Sequence, residues 1–206
     1  LTLGIDGTET FDVVGTPAPG ATLALVVRRR DGSSVEVPVT CRRIHGDGRV
    51  LTPGLIDMHS HGCGGGTFDG GDEAITTALR STAERGVTRA MPSLVTVAAE
   101  EMLAQVERLA RLAGAGILGV HLEGPFISPA KAGAHEPAHM RTPDHGLLDE
   151  FLDAAAGTAV YLTVAPELPG ALDLIAHAAD RGAVIGIGHT EADYDTARSA
   201  VDAGAR

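Results

Sequence analysis

Tryptophan is absent from this 206-residue chain, and aromatic residues make up only 3% of it. Any core must be built from Ala, Val, Leu and Ile, within a hydrophobic content of 44%. The two cysteines, Cys41 and Cys63, are too few for a disulfide framework. No apolar run reaches the roughly 20 residues of a membrane-spanning helix. No charged-then-apolar leader pattern opens the chain. Positive charge is also scarce: 16 Lys and Arg stand against 27 Asp and Glu, a formal net charge of -11. This argues against nucleic acid and anionic membrane as partners. It leaves room for a small anionic substrate held by local groups. A cytoplasmic enzyme fits these absences.

The chain changes character near residue 45. Residues 1–45 carry five acidic and five arginine side chains, so the whole deficit of charge lies in residues 46–206. Ala21–Val27 and Val35–Cys41 read as strands, and the Asp31-Gly32 turn signal between them predicts a β-hairpin. From residue 46 onward, strand and helix patterns alternate. Strands are expected over 54–60, 87–94, 116–122, 159–164 and 183–188. Helices are expected over 73–85, 97–113, 145–156, 170–181 and 193–203. Met102, Val106, Leu109 and Ala113 keep helical spacing. Pro169 suits a helix first turn and Gly204 a helix end. The order predicts an α/β fold with a parallel sheet. It supplies about five of the eight units of a TIM-type (β/α) barrel, preceded by the small hairpin-containing segment. The expected domains are 1–45 and 46–206.

The most informative stretch is Pro53-Gly-Leu-Ile-Asp-Met-His-Ser-His-Gly62. Leu55, Ile56 and Met58 read as a short buried strand. Side chains at i and i+2 share a face of a strand, so His59 and His61 point the same way. Two imidazoles at one strand end can bind one divalent cation. A lone His-x-His pair is weak evidence. Two further apolar strands also end in ligand residue types, at Glu123 in Gly119–Pro125 and at His189 in Val184–Thr190. Three such endings, separated by helical patterns, point to one shared metal site. The C-terminal strand ends of a β/α barrel are where active sites lie. Cys63 reads as a small packing residue in a Gly-rich loop. His135, taken alone, reads as a surface-loop histidine. Glu167 and Glu191 are accounted for by helix-entry and loop roles.

Five ordered motifs resemble the N-acetylglucosamine-6-phosphate deacetylases of the amidohydrolase superfamily. They are Pro53–Gly65, His121–Phe126, Lys131–His135, Thr163–Glu167 and Ile187–Thr190. The resemblance covers about residues 46–206. It implies that Glu123 is the central metal ligand and that His189 binds the same metal. It implies that His59 and His61 hold a second metal, so that the cofactor is one or two divalent ions, Zn or Fe. Ala134 and His135 would contact the sugar, with His135 near the acetamide carbonyl. The implied reaction converts N-acetylglucosamine 6-phosphate and water to glucosamine 6-phosphate and acetate, through a metal-activated water. A homo-oligomer is expected.

Two departures qualify that expectation. Family members continue past the point matching Arg206 into strands bearing another metal histidine, a phosphate-binding arginine, a second substrate histidine and the general acid–base aspartate. No catalytic acid–base is therefore assigned within these residues. Loss of such a group costs about a hundred- to ten-thousandfold in rate, so weak metal binding without appreciable turnover is expected. The family's N-terminal β-sandwich portion is also unmatched. Leu1–Ile44 instead resembles the C-terminal swivel domain of aconitase, which makes the chain read as a chimera. The competing readings are a non-catalytic barrel fragment whose open edges pair with another chain, and an amidohydrolase acting on a cyclic amide. The Gly133-Ala-His135 loop argues against the latter.

Overall fold

A computed structural model describes residues 54–114 and 116–206, together with the backbone of four strands in the first 53 residues. The chain divides into two units, Leu1–Pro53 and Gly54–Arg206. In the first, β1 (Thr2–Ile5) pairs antiparallel with β2 (Glu9–Asp12), and β3 (Thr22–Arg28) with β4 (Ser34–Thr40). The second pair supplies the strands expected on either side of Asp31-Gly32. The turn itself and Cys41 lie outside the described residues.

The second unit repeats one strand–helix step five times. Its order is β5 (Leu55–Ser60), α1 (Asp72–Ala83), β8 (Val87–Val95), α2 (Ala99–Arg111), β9 (Gly119–Glu123), α3 (His145–Ala154), β10 (Ala159–Val164), α4 (Ala171–Asp180), β11 (Val184–Ile187) and α5 (Tyr194–Ala203). Two very short strands, β6 (Gly62–Cys63) and β7 (Gly66–Thr67), form a small hairpin between β5 and α1. The sheet order is β5-β8-β9-β10-β11, every pair parallel. Each strand thus lies beside the next in sequence, and the sheet curls into part of a barrel.

Alternation along the central strand sorts polar from apolar. All five residues of β9 are buried. Val120 and Leu122 join the helix-facing core with Met102, Val106 and Leu109 of α2, Leu148 and Phe151 of α3, and Leu174 and Ile175 of α4. His121 and Glu123, the alternate residues, face the barrel interior. Two glycines of β11 and its loop make room inside. A Cβ on Gly186 would sit 2.1 Å from the Tyr161 hydroxyl, and one on Gly188 would sit 2.8 Å from the Thr163 methyl.

Several expectations need correction. Leu55, Ile56 and Met58 are exposed, at 62%, 59% and 47%. Among the described residues β5 pairs only with β8, so it is an edge strand and not a buried one. The third strand starts at Gly119, not 116, because Gly116 (φ +93°) turns the chain first. Helix α2 ends at Arg111, which leaves Ala113 exposed. Pro169 stands outside α4: the helix starts at Ala171, behind Gly170 in the left-handed region. Gly204 does close α5, as expected.

An ion-pair clasp links α3 to α4. His177 Nε2 lies 2.9 Å from Asp149, Arg181 bonds both Asp149 and Asp153, and the rings of His145 and His177 stack 4.7 Å apart. The hydrogen bond from His177 holds the Asp149 carboxyl below its ordinary value of 3.8, with Arg181 adding to the effect against a smaller desolvation.

Two stability outcomes follow. Phe151→Ala, at a fully buried site, should cost about 3–5 kcal/mol, whereas Leu55→Ala should fall within about 0.5 kcal/mol, both read by urea denaturation. A depressed carboxylate stabilises above its unfolded pKa and loses that effect as pH falls through the folded value. The Tm advantage of wild type over Asp149→Asn should therefore be full at about pH 5 and fade below 3.8. An advantage that grows as the pH falls from about 5 through 3.8 contradicts the clasp.

Candidate metal centre

All four ligand candidates stand where a parallel strand gives way to its loop. His59 lies in β5 and His61 just after it. Glu123 is the last residue of β9, and His189 follows β11 by two residues. Gly124 takes φ +94° immediately after Glu123, and a Cβ there would lie 2.1 Å from the Thr96 hydroxyl. The chain can therefore turn sharply and leave the carboxylate facing inward.

The structure brings the four together around that carboxylate. His59 Nε2 lies 3.4 Å and His189 Nε2 3.0 Å from Oε1, while His61 Nε2 lies 3.1 Å from Oε2. The Nε2 atoms of His59 and His61 are 3.2 Å apart. Donors bound about 2.0–2.1 Å from one ion stand roughly 3.3 Å apart in a tetrahedral site, so these separations suit a shared cation. Among the described residues two groups bring their ligand atoms within 4.8 Å of one another: His59, His61 and Glu123, and Glu123, His135 and His189.

Ring tautomers divide the histidines by role. His61 Nδ1–H donates to the Ser93 carbonyl at 3.0 Å, and His189 Nδ1–H to the Lys131 carbonyl at 2.8 Å. A carbonyl only accepts, so each ring keeps a proton on Nδ1, which leaves Nε2 as the nitrogen that a cation at Glu123 would engage, as in metal-binding histidines. His135 is the reverse. The Thr96 backbone N–H donates to its Nδ1 at 3.1 Å. A backbone amide cannot accept, so the neutral ring carries its proton on Nε2, 3.5 Å from Glu123 Oε2. His135 thus offers a hydrogen-bond donor, and Glu123 with His189 remain as the ligand pair of the second group.

Burial pushes the Glu123 carboxyl up, but the close contact with His189 Nε2 and the nearby His59, His135 and His61 outweigh it and hold it below the usual carboxylate range. Burial lowers the His135 imidazole, more than Glu123 raises it. His121 is wholly buried beneath the site, between the Ser93 hydroxyl at 2.7 Å and the Thr163 hydroxyl at 2.8 Å. Burial first, then the proximity of His59, takes it from 6.5 to about 4, so it is neutral near pH 7. Ser93 also accepts from the Ser60 backbone N–H at 3.2 Å. One polar layer therefore ties β5, β8, β9 and β10 together under the ligands.

The remaining expectations divide. His135 is buried, not a surface-loop residue: its loop folds back over the strand ends through short turns at Pro129–Lys131 and Pro137–His139. Ala134 beside it is exposed. Cys63 is half-buried, donates to the Ser81 hydroxyl at 3.5 Å, and belongs to neither ligand group. Glu167 accepts from the Thr190 hydroxyl and from the Glu191 backbone N–H, a loop role. His121, Ser93 and Thr96 were not singled out as site residues from sequence. For His121 a signal existed, since it lies two residues before Glu123 on the same strand face.

Residues 50–205 match the amidohydrolase family model. The chain is 35% identical to the N-acetylglucosamine-6-phosphate deacetylase of Bacillus subtilis (strain 168) over 76% of its own length and 42% of the relative's. It is 32% identical to the N-acetylgalactosamine-6-phosphate deacetylase of Escherichia coli O157:H7, over 77% of this chain and 44% of that one. A solved structure of a mutant Mycobacterium smegmatis N-acetyl-D-glucosamine-6-phosphate deacetylase, in complex with N-acetyl-D-glucosamine 6-phosphate, matches 74% of the chain at 47% identity and a TM-score of 0.72, covering 41% of that structure. The chain thus spans about two fifths of the length of these relatives. With a family match over three quarters of its length and ligand residue types at the C-terminal ends of parallel strands, the chain belongs to the amidohydrolase family.

Proposed function

We propose that this site serves metal-dependent hydrolysis of the acetamide of an N-acetylhexosamine 6-phosphate, with N-acetylglucosamine 6-phosphate as the substrate. The observation that carries this reading is the convergence of His59, His61 and His189 Nε2 on the Glu123 carboxylate, beside a His135 whose Nδ1 is taken by the Thr96 N–H. With Nδ1 protonated, His61 and His189 can offer Nε2 to a cation, while His135 can offer an Nε2 proton to an oxygen. Relatives named for deacetylation of the two epimeric sugars support the substrate class.

Glu123 and His189 would hold one divalent ion, zinc or iron, and His59 with His61 a second. Such an ion supplies a nucleophile at neutral pH and polarises a carbonyl oxygen. The chain's own residues do the rest of what is described. His135 Nε2–H donates to the acetamide oxygen and continues to do so as negative charge develops there, the role of an oxyanion donor. Its burial keeps that proton from competing water, and Thr96 N–H fixes the ring that carries it. Ala134 lies beside it at the loop surface, where the sugar would enter. The Ser93–His121–Thr163 layer is neutral, so it orients His61 without adding charge under the cation. None of the first 45 residues is assigned to the site.

Zinc or cobalt titration of the purified chain should show binding that Glu123→Gln weakens by more than the about 10–100-fold cost of losing an outer-shell partner. His135→Asn should leave metal affinity within a few-fold. Acetate release from N-acetylglucosamine 6-phosphate, measured with excess zinc or iron, should stay far below the ordinary enzyme median of about 10 per second, since no acid–base residue is assigned within these residues. Any release that is detected should require the metal, Glu123 and His135. Metal affinity lost in His135→Asn but kept in Glu123→Gln would overturn the assignment of roles.

A further inference from the structure

The backbone of His189 is in the left-handed region, at φ +50°. A residue with a side chain adopts that conformation rarely, and it persists only where its surroundings hold it. Four contacts do so here. The His189 carbonyl accepts from the Ser128 backbone N–H at 2.9 Å, and its Nδ1–H donates to the Lys131 carbonyl at 2.8 Å. The next two residues are both caught by one carboxylate: Glu167 accepts from the Thr190 hydroxyl through Oε2, and from the Glu191 backbone N–H through Oε1 at 2.7 Å.

We propose that Glu167 is a positioning residue for metal binding: by clasping residues 190 and 191 it holds His189 in its left-handed turn, with Nε2 aimed at Glu123. This rests on the reading of His189 as a metal ligand. Glu167 is not itself a ligand, since both its oxygens are engaged by the loop and it belongs to neither ligand group. It also joins two loops, standing on the loop after β10 and gripping the loop after β11. Ser128, on the loop after β9, lies near its carboxylate. Ser128 is buried and holds His189 through its own N–H, so the carboxylate and the ligand share one support. A carboxylate suits the task because it accepts two hydrogen bonds at once with no proton of its own to place.

The test is a double-mutant cycle on cobalt(II) affinity and the visible cobalt spectrum, with Glu167→Ala, His189→Ala and the double variant. Thermal melting of each metal-free protein serves as the folding control. Glu167→Ala should weaken cobalt binding about 10–100-fold, the range for outer-shell partners, and change the spectrum. In the His189→Ala background the same substitution should cost less than about twofold, because the clasp acts only through that ring. Glu167→Gln, which keeps an acceptor for the Glu191 N–H, should retain most of the affinity. Should Glu167→Ala fail to fold, Thr190→Val breaks one arm of the clasp and is read by the same cycle. Unchanged cobalt affinity in Glu167→Ala, or an equal loss in both backgrounds, overturns the proposal. If His189→Ala alone leaves cobalt binding intact, the failure lies with the ligand reading of His189 and not with the clasp.

Discussion

One carboxylate organises the second unit. Glu123 ends a strand that is buried along its whole length, and four imidazoles stand 3.0–3.5 Å from its oxygens. A carboxylate removed from water is costly unless charge and hydrogen bonds compensate it. Three strand–loop junctions contribute to that compensation. The His pair comes from β5, His135 from the loop after β9, and His189 from the loop after β11. A parallel sheet makes this possible, because all its strands end on the same side. Side chains from distant parts of the sequence then meet at one rim without any single loop having to reach far.

The layer beneath the rim accounts for how the proposed ligands are held in place. His121, Ser93 and Thr163 form a buried, fully hydrogen-bonded row one step below Glu123. Such a network is costly when half satisfied and rigid when complete. Ser93 links it to the ligands, since its carbonyl fixes the proton of His61. The outer apolar face, packed on α2, α3 and α4, supplies stability, and the inner polar face supplies orientation. Because alternation along β9 puts Leu122 on one face and Glu123 on the other, the same strand serves both.

Much of this was legible in the sequence because strand endings carry chemistry there. His59, His61, Glu123 and His189 could be placed by alternation and by the turn residues that follow them. The five strand–helix steps fell within a few residues of their expected bounds. What escaped was tertiary. Leu55, Ile56 and Met58 look like any buried strand, and only the sheet order reveals an edge. His135 looks like a loop residue, because its burial depends on two short turns that bend the loop back over the rim. The role of Glu167 could not be read from its neighbours in sequence, since its partners lie more than 20 residues away.

In the proposed site Glu123, His59, His61 and His189 hold a cation, while His135 faces it as a donor and not as a ligand. The most direct measurement is anomalous scattering from crystals of the protein grown with zinc. One or two peaks are expected, each about 2.0–2.2 Å from a Glu123 oxygen and from Nε2 of its histidine ligands, with His135 Nε2 outside bonding distance. Absence of any peak at the Glu123 carboxylate, or a peak bonded to His135 Nε2, would contradict it.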